Sequence, residues 1–132
     1  MIYLLDTNVI SDWLRGDERV ISHANEAIKQ SNHLVLCSPI YYEVMRGLLY
    51  KDAKRQIRAF DEMVVTYLDY VVANRQDWQI ASQLWATTVK KGRQLSDIDL
   101  LLAAIAKRLQ AVIITSDRDF NIVDVTVENW RE

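Results

Sequence analysis

The stretch Ile2-Tyr3-Leu4-Leu5-Asp6-Thr7-Asn8 decides how the chain is read. Four apolar residues run without interruption, an acid follows, and two residues suited to opening a helix come next. Similar runs recur further along. Leu34-Val35-Leu36-Cys37 leads into Ser38-Pro39 and then Glu43, and Val112-Ile113-Ile114-Thr115 leads into Ser116-Asp117. Uninterrupted leucine and β-branched runs separated by helical segments predict an α/β fold with a parallel sheet covered on both faces. Right-handed crossovers bring the carboxyl ends of its strands to one edge, where open sheets of this kind bind ligands.

Helices are expected at 7–15, stopped by Gly16, and at 18–30, with Val20, Ile21, Ala24, Ala27 and Ile28 at helical spacing. A third runs to Tyr50, with Ser38 as N-cap and Pro39 at its first position. A fourth covers 52–65, with Ile57, Phe60 and Val64 on one face. A long helix at 75–91 is read with Trp78, Ala81, Ser82, Trp85 and Val89 as its core stripe, and Gly92 ends it. The last runs from Ser96 to Arg108. Segment 68–72 is expected as a strand, although Asp69 interrupts it, and 125–127 as a short edge strand. No repeat or linker divides the chain, so 1–132 is read as a single domain.

A chain of 132 residues, half hydrophobic and with one proline, is expected to fold around one core. No run approaches the roughly 20 uncharged apolar residues of a membrane helix. The N-terminus meets an acid at Asp6 and lacks a basic region, so a cytoplasmic protein is the default expectation. Cys37 lies in an apolar run and reads as a buried, inert thiol. His23 and His33 have no cysteine near them, which gives no support to a zinc site or a histidine triad. The net charge of −2 is unlike that of most nucleic-acid binders. Acids concentrated in one site and neutralised by bound metal would reconcile it with such a role.

The acids are therefore weighed one by one. Asp6 serves as an N-cap, or it is a metal ligand at a strand mouth while Thr7 or Asn8 fills the cap. Glu43 lies about one turn into its helix between Tyr41-Tyr42 and Val44-Met45. Its partner is Arg46, three residues on, or a metal. Ser96-Asp97-Ile98-Asp99 fits a capping box with Asp in place of Glu. The apolar run after it buries that helix and brings its N-terminus to the sheet edge, with Asp97 as an outer ligand. Thr115-Ser116-Asp117-Arg118-Asp119 is a polar turn leaving a strand. Asp117, nearer the strand end, is preferred to Asp119 as a ligand, and Thr115 or Ser116 is suited to hydrogen-bonding a phosphate or carboxylate. Carboxylates without cysteine or histidine suit a hard cation, Mg²⁺ or Mn²⁺.

Taken together, Leu4-Leu5-Asp6-Thr7-Asn8, Glu43-Val44-Met45-Arg46-Gly47, Asp99-Leu100-Leu101-Leu102-Ala103-Ala104 and Thr115-Ser116-Asp117-Arg118-Asp119-Phe120 resemble the PIN-domain ribonucleases, specifically the VapC-like toxins of toxin–antitoxin pairs. The resemblance spans nearly the whole chain. It implies a three-layer α/β/α sandwich with a mainly parallel central sheet and an acidic pocket holding Mg²⁺ or Mn²⁺. Asp6, Glu43 and Asp99 match the principal acids, Asp117 a fourth position, and Asn8 and Thr115 supporting polar positions. It also implies RNA as substrate, a homodimer, and a small antitoxin occupying the active-site groove.

The expected chemistry is metal-dependent hydrolysis of RNA phosphodiester bonds. Basic residues near the acids, among them Arg46 and Arg93, are candidate RNA contacts, although solvated helix faces explain most of them better. Trp13 is a candidate for lining a groove for a partner helix. The alternative is a catalytically silent PIN-like module that binds RNA or protein and whose acids are caps and turns. A receiver or phosphatase-like domain fits worse, since Lys107 is poorly placed for the first and Asn8 stands where the second wants an acid.

Overall fold

The computed structural model describes residues 1–132. The strands are β1 (Ile2–Leu5), β2 (His33–Cys37), β3 (Asp69–Val71), β4 (Val112–Ile114) and β5 (Thr126–Glu128). The helices are α1 (Thr7–Leu14), α2 (Glu18–Lys29), α3 (Ser38–Tyr50), α4 (Lys54–Tyr67), α5 (Arg75–Lys90) and α6 (Asp97–Leu109), with a 3₁₀ turn at Arg118–Ile122. All strand pairs are parallel and the sheet order is β3-β2-β1-β4-β5. In β1, β2 and β4, consecutive residues such as Leu4 and Leu5, Leu36 and Cys37, and Ile113 and Ile114 are all fully buried. Neighbouring strand residues point to opposite faces, so helices cover both faces and the fold is the expected three-layer α/β/α sandwich.

The strand order fixes where a ligand belongs. From β1 the chain moves outward to β2 and β3, then crosses back to β4 on the other side of β1. The β1/β4 boundary is the point of reversal, where the loops leaving the carboxyl ends diverge and open a crevice. Leu5 is in register with Ile114 there, and the Asp6 N–H donates to the Ile114 carbonyl at 3.0 Å. Asp6 and the Thr115–Asp117 turn thus straddle the crevice.

Most expected elements form, with instructive departures. Cys37, not Ser38, is the N-cap of α3, and the Ser38 hydroxyl instead accepts from the Ala73 N–H at 2.9 Å, tying α3 to the segment after β3. α4 starts at Lys54, because Asp52 takes a left-handed backbone (φ 51°) that belongs to a turn. β3 forms despite Asp69, since it is an edge strand and Asp69 is exposed beside His33. Trp78 and Trp85 are not core. They are 57% and 50% exposed, and the inner face of α5 is Asp77, Ala81 and Thr88. Gly16, at φ 79°, ends α1 as expected. No helix is long and apolar enough to cross a membrane.

The C-terminus closes the core. Trp130 is buried edge-on to Tyr3 (5.8 Å between ring centres) and stacked on His23 (5.6 Å). Arg131 then forms a two-point ion pair with buried Asp12 at 2.7 and 3.1 Å, and Arg15 holds the same carboxylate at 2.5 Å.

Candidate active site

Asp6 is both the cap of α1 and the floor of the crevice. One carboxylate oxygen accepts from the Thr7 N–H at 2.7 Å, the other from the Thr115 hydroxyl at 2.7 Å and the Asn8 amide at 3.4 Å. All three donors are neutral. Burial therefore dominates and pushes the Asp6 carboxyl above its usual range, with the charges of Glu43 and Asp117 pushing the same way.

Thr115 is the joint between the two sides of the crevice. Its hydroxyl donates to Asp6 and accepts from the Asp117 N–H at 3.0 Å and the Asn8 amide at 3.1 Å. The Asn8 carbonyl in turn accepts from the Ser116 N–H at 3.1 Å. Asn8, Thr115 and Ser116 thus fix the start of α1 against the end of β4. Asp117 caps the 3₁₀ turn by accepting from the Asp119 N–H at 2.8 Å, so Asp119 contributes its backbone to the turn.

Asp99 stands at the first turn of α6. The Ser96 hydroxyl accepts its N–H at 3.1 Å, which is half of the expected capping box. Burial first, and then the charge of Asp6, raise the Asp99 carboxyl to about 6; Asp117 and Glu43 add to the rise. These mutual effects mark the convergence of Asp6, Glu43, Asp99 and Asp117, which lie far apart in sequence. Asp97 is exposed on the wall of an apolar groove beside Tyr42, Trp78 and Trp85.

Glu43 reaches the crevice from α3. One oxygen accepts from the Thr7 hydroxyl, and the other pairs with Arg46 at 3.6 Å. Arg46 also lies over the Tyr42 ring, 4.9 Å from its centre. Arg93 is exposed in the loop between α5 and α6. Thr7 is the site residue that sequence reasoning passed over. Its bond to Glu43 spans 36 positions, and the only trace in the sequence is a hydroxyl next to the strand-end acid.

The donors in the crevice are all oxygen, and Arg46 is the only cation paired with any of the four acids. That chemistry fits a hard divalent cation. The carboxylates converge without closing into a ready-made cage of three acids.

Comparisons with known proteins agree with this fold. The PIN domain family model matches residues 3–125. Ribonuclease VapC1 of Haemophilus influenzae strain R2866 is 30% identical, over 98% of both chains. A chain of the VapBC-1 structure from nontypeable Haemophilus influenzae superposes with a TM-score of 0.85 at 26% identity, covering 100% of both chains. A chain of VapBC2 from Rickettsia felis, bound to a DNA fragment from the promoter, has a TM-score of 0.89 at 21% identity, covering 98% of this chain and 99% of that one. With its sequence match over nearly the whole length and its sheet-edge acids, the chain belongs to the PIN domain family, as a VapC-type member.

Proposed function

We propose that this chain is a cytoplasmic, metal-dependent endoribonuclease and the toxin of a toxin–antitoxin pair. The observation that carries the reading is the convergence of four carboxylates at the β1/β4 reversal point with neutral donors around the most buried of them. Elsewhere the fold gives its buried acids arginine partners. Leaving this cluster short of positive charge costs stability unless a cation arrives. The full-length likeness to Ribonuclease VapC1 supports RNA as the substrate.

Asp6 and Asp99 would hold Mg²⁺ or Mn²⁺, with Glu43 and Asp117 completing the set. When bound, the ion lowers the pKa of water and offsets charge on the phosphodiester oxygens. The chain's own part is to orient the carboxylates. Thr115 and the Thr7 N–H fix Asp6, Ser96 fixes the first turn of α6, and the Asp119 N–H holds Asp117. Arg46, stacked on Tyr42 at the rim, is suited to an RNA phosphate once the ion takes over Glu43, and Arg93 lies on the approach before α6.

Two surfaces suit partners. The apolar groove lined by Pro39, Tyr42, Trp78, Trp85 and Ile98, about 720 Å³, suits a second copy of the chain. A smaller cleft of about 300 Å³ between α1 and α4, lined by Trp13, Leu14, Met63 and Tyr67, suits an apolar helix of an antitoxin.

Purified protein incubated with a total small-RNA pool tests the reading. Cleavage with Mn²⁺ that stops with EDTA and in Asp99→Asn is expected. Cleavage that persists in EDTA contradicts the metal role. Absence of both cleavage and Mn²⁺ binding leaves a silent binding module.

A further inference from the structure

The carboxylate of Glu43 arrives in the crevice from a different element than Asp6, on a side chain with three rotatable bonds. Something must hold it there. Two groups touch it, Arg46 and Thr7. Arg46 is on the same helix, three residues on, and its side chain is half exposed; at 3.6 Å it is a loose partner. Thr7 is on α1, inside the crevice, and its hydroxyl donates to Oε1. Its backbone is the first residue of α1, and its β-branched side chain has few rotamers available. The same residue gives its N–H to Asp6 at 2.7 Å.

Resting on the ribonuclease reading above, we propose that Thr7 is a positioning residue that holds Glu43 in the acidic crevice and sets its distance from Asp6. The Thr7 hydroxyl occupies one lone pair of Oε1 and leaves the other lone pairs of the carboxylate for an ion. Hydrogen bonds to a charged acceptor contribute about 1.5–3 kcal/mol, which corresponds to a roughly ten- to hundred-fold preference for the inward position. Valine at position 7 keeps the shape and the N–H to Asp6 while removing the hydroxyl, so it isolates the contact to Glu43.

Three measurements test this. In protein carrying ¹³C-labelled glutamate and no metal, the Glu43 carboxyl resonance is expected to move or broaden in Thr7→Val and to return in Thr7→Ser. An unchanged resonance in Thr7→Val overturns the proposal, whatever the protein does with metal. By calorimetry, Thr7→Val is expected to bind Mn²⁺ roughly ten-fold or more weakly, with Thr7→Ser close to wild type; equal affinity in the valine variant overturns it. In a Glu43→Gln background, Thr7→Val is expected to add no further loss of Mn²⁺ affinity, and a loss as large as in the wild-type background overturns it. Wild-type protein that binds no Mn²⁺ sinks the ribonuclease reading instead, and the carbon resonance still decides the role of Thr7.

Discussion

Asp77 and Asp6 are both buried carboxylates, 0% and 4% exposed, yet their surroundings are opposites. Asp77 lies between α5 and α6, where Arg108 grips it with two nitrogens at 2.7 and 2.9 Å while it completes a capping box with Asn74. Its charge is cancelled where it sits, and it latches the two helices together. Asp6 lies at the sheet's reversal point and receives only neutral donors, beside three further acids. Asp12 follows the first pattern, with Arg15 and Arg131. The paired acids have their counter-charge within the fold, whereas the crevice acids have neutral donors and, at Glu43 alone, the loosely held Arg46.

The largest effect expected from this contrast is on the paired side. Arg108→Ala leaves Asp77 buried and uncompensated, and is expected to cost about 3–5 kcal/mol by urea unfolding. A loss under about 1 kcal/mol would remove the distinction between the two kinds of acid. On the crevice side, Mn²⁺ at a hundred times its Kd is expected to stabilise wild type by about 2.7 kcal/mol, read as a rise in Tm that Asp6→Asn abolishes. An equal rise in the variant would put the ion elsewhere.

Smaller effects sharpen the picture. Arg131→Ala removes one of the two holders of Asp12 and, with Arg15 still in place, is expected to cost about 1–2 kcal/mol; a loss as large as that of Arg108→Ala would mean that Arg15 is no substitute. The Asp99 carboxyl is raised to about 6, so between its ordinary value and 6 the native form holds a proton that the unfolded chain has released. Metal-free wild type is therefore expected to lose stability as pH rises through that window. Asp99→Asn, lacking the charge, is expected to be more stable at pH 7.5 by about 1 kcal/mol, discounted for solvent screening. An asparagine variant less stable than wild type at that pH would contradict crowding of the acids.

The sequence carried most of the scaffold because each central strand is an unbroken apolar run and several helix boundaries have their own chemistry, as at Gly16, whereas α3 and α4 start without a side-chain cap. Phase within a helix was harder to read. On α5 the stripe containing Trp78 and Trp85 and the neighbouring one containing Asp77 and Thr88 share Ala81 and differ by about one residue. The aromatic stripe looks more core-like, yet the other is buried because Arg108, 31 positions away, neutralises Asp77. The convergence of Asp6, Glu43, Asp99 and Asp117 was legible from their places at strand ends and helix starts. The place of Asp97 on the wall of the apolar groove was not, since the groove's aromatic wall is built by the distant helix α5. Thr7 escaped for the same reason as Arg108, because the partner of each lies far along the chain.

Calorimetric titration of Mn²⁺ into metal-free wild type, Asp6→Asn and Asp99→Asn addresses the central claim most directly. Saturable binding in wild type, weakened ten-fold or more in both variants, is the predicted result. Absence of binding in wild type, or binding equally tight in all three proteins, would contradict the account.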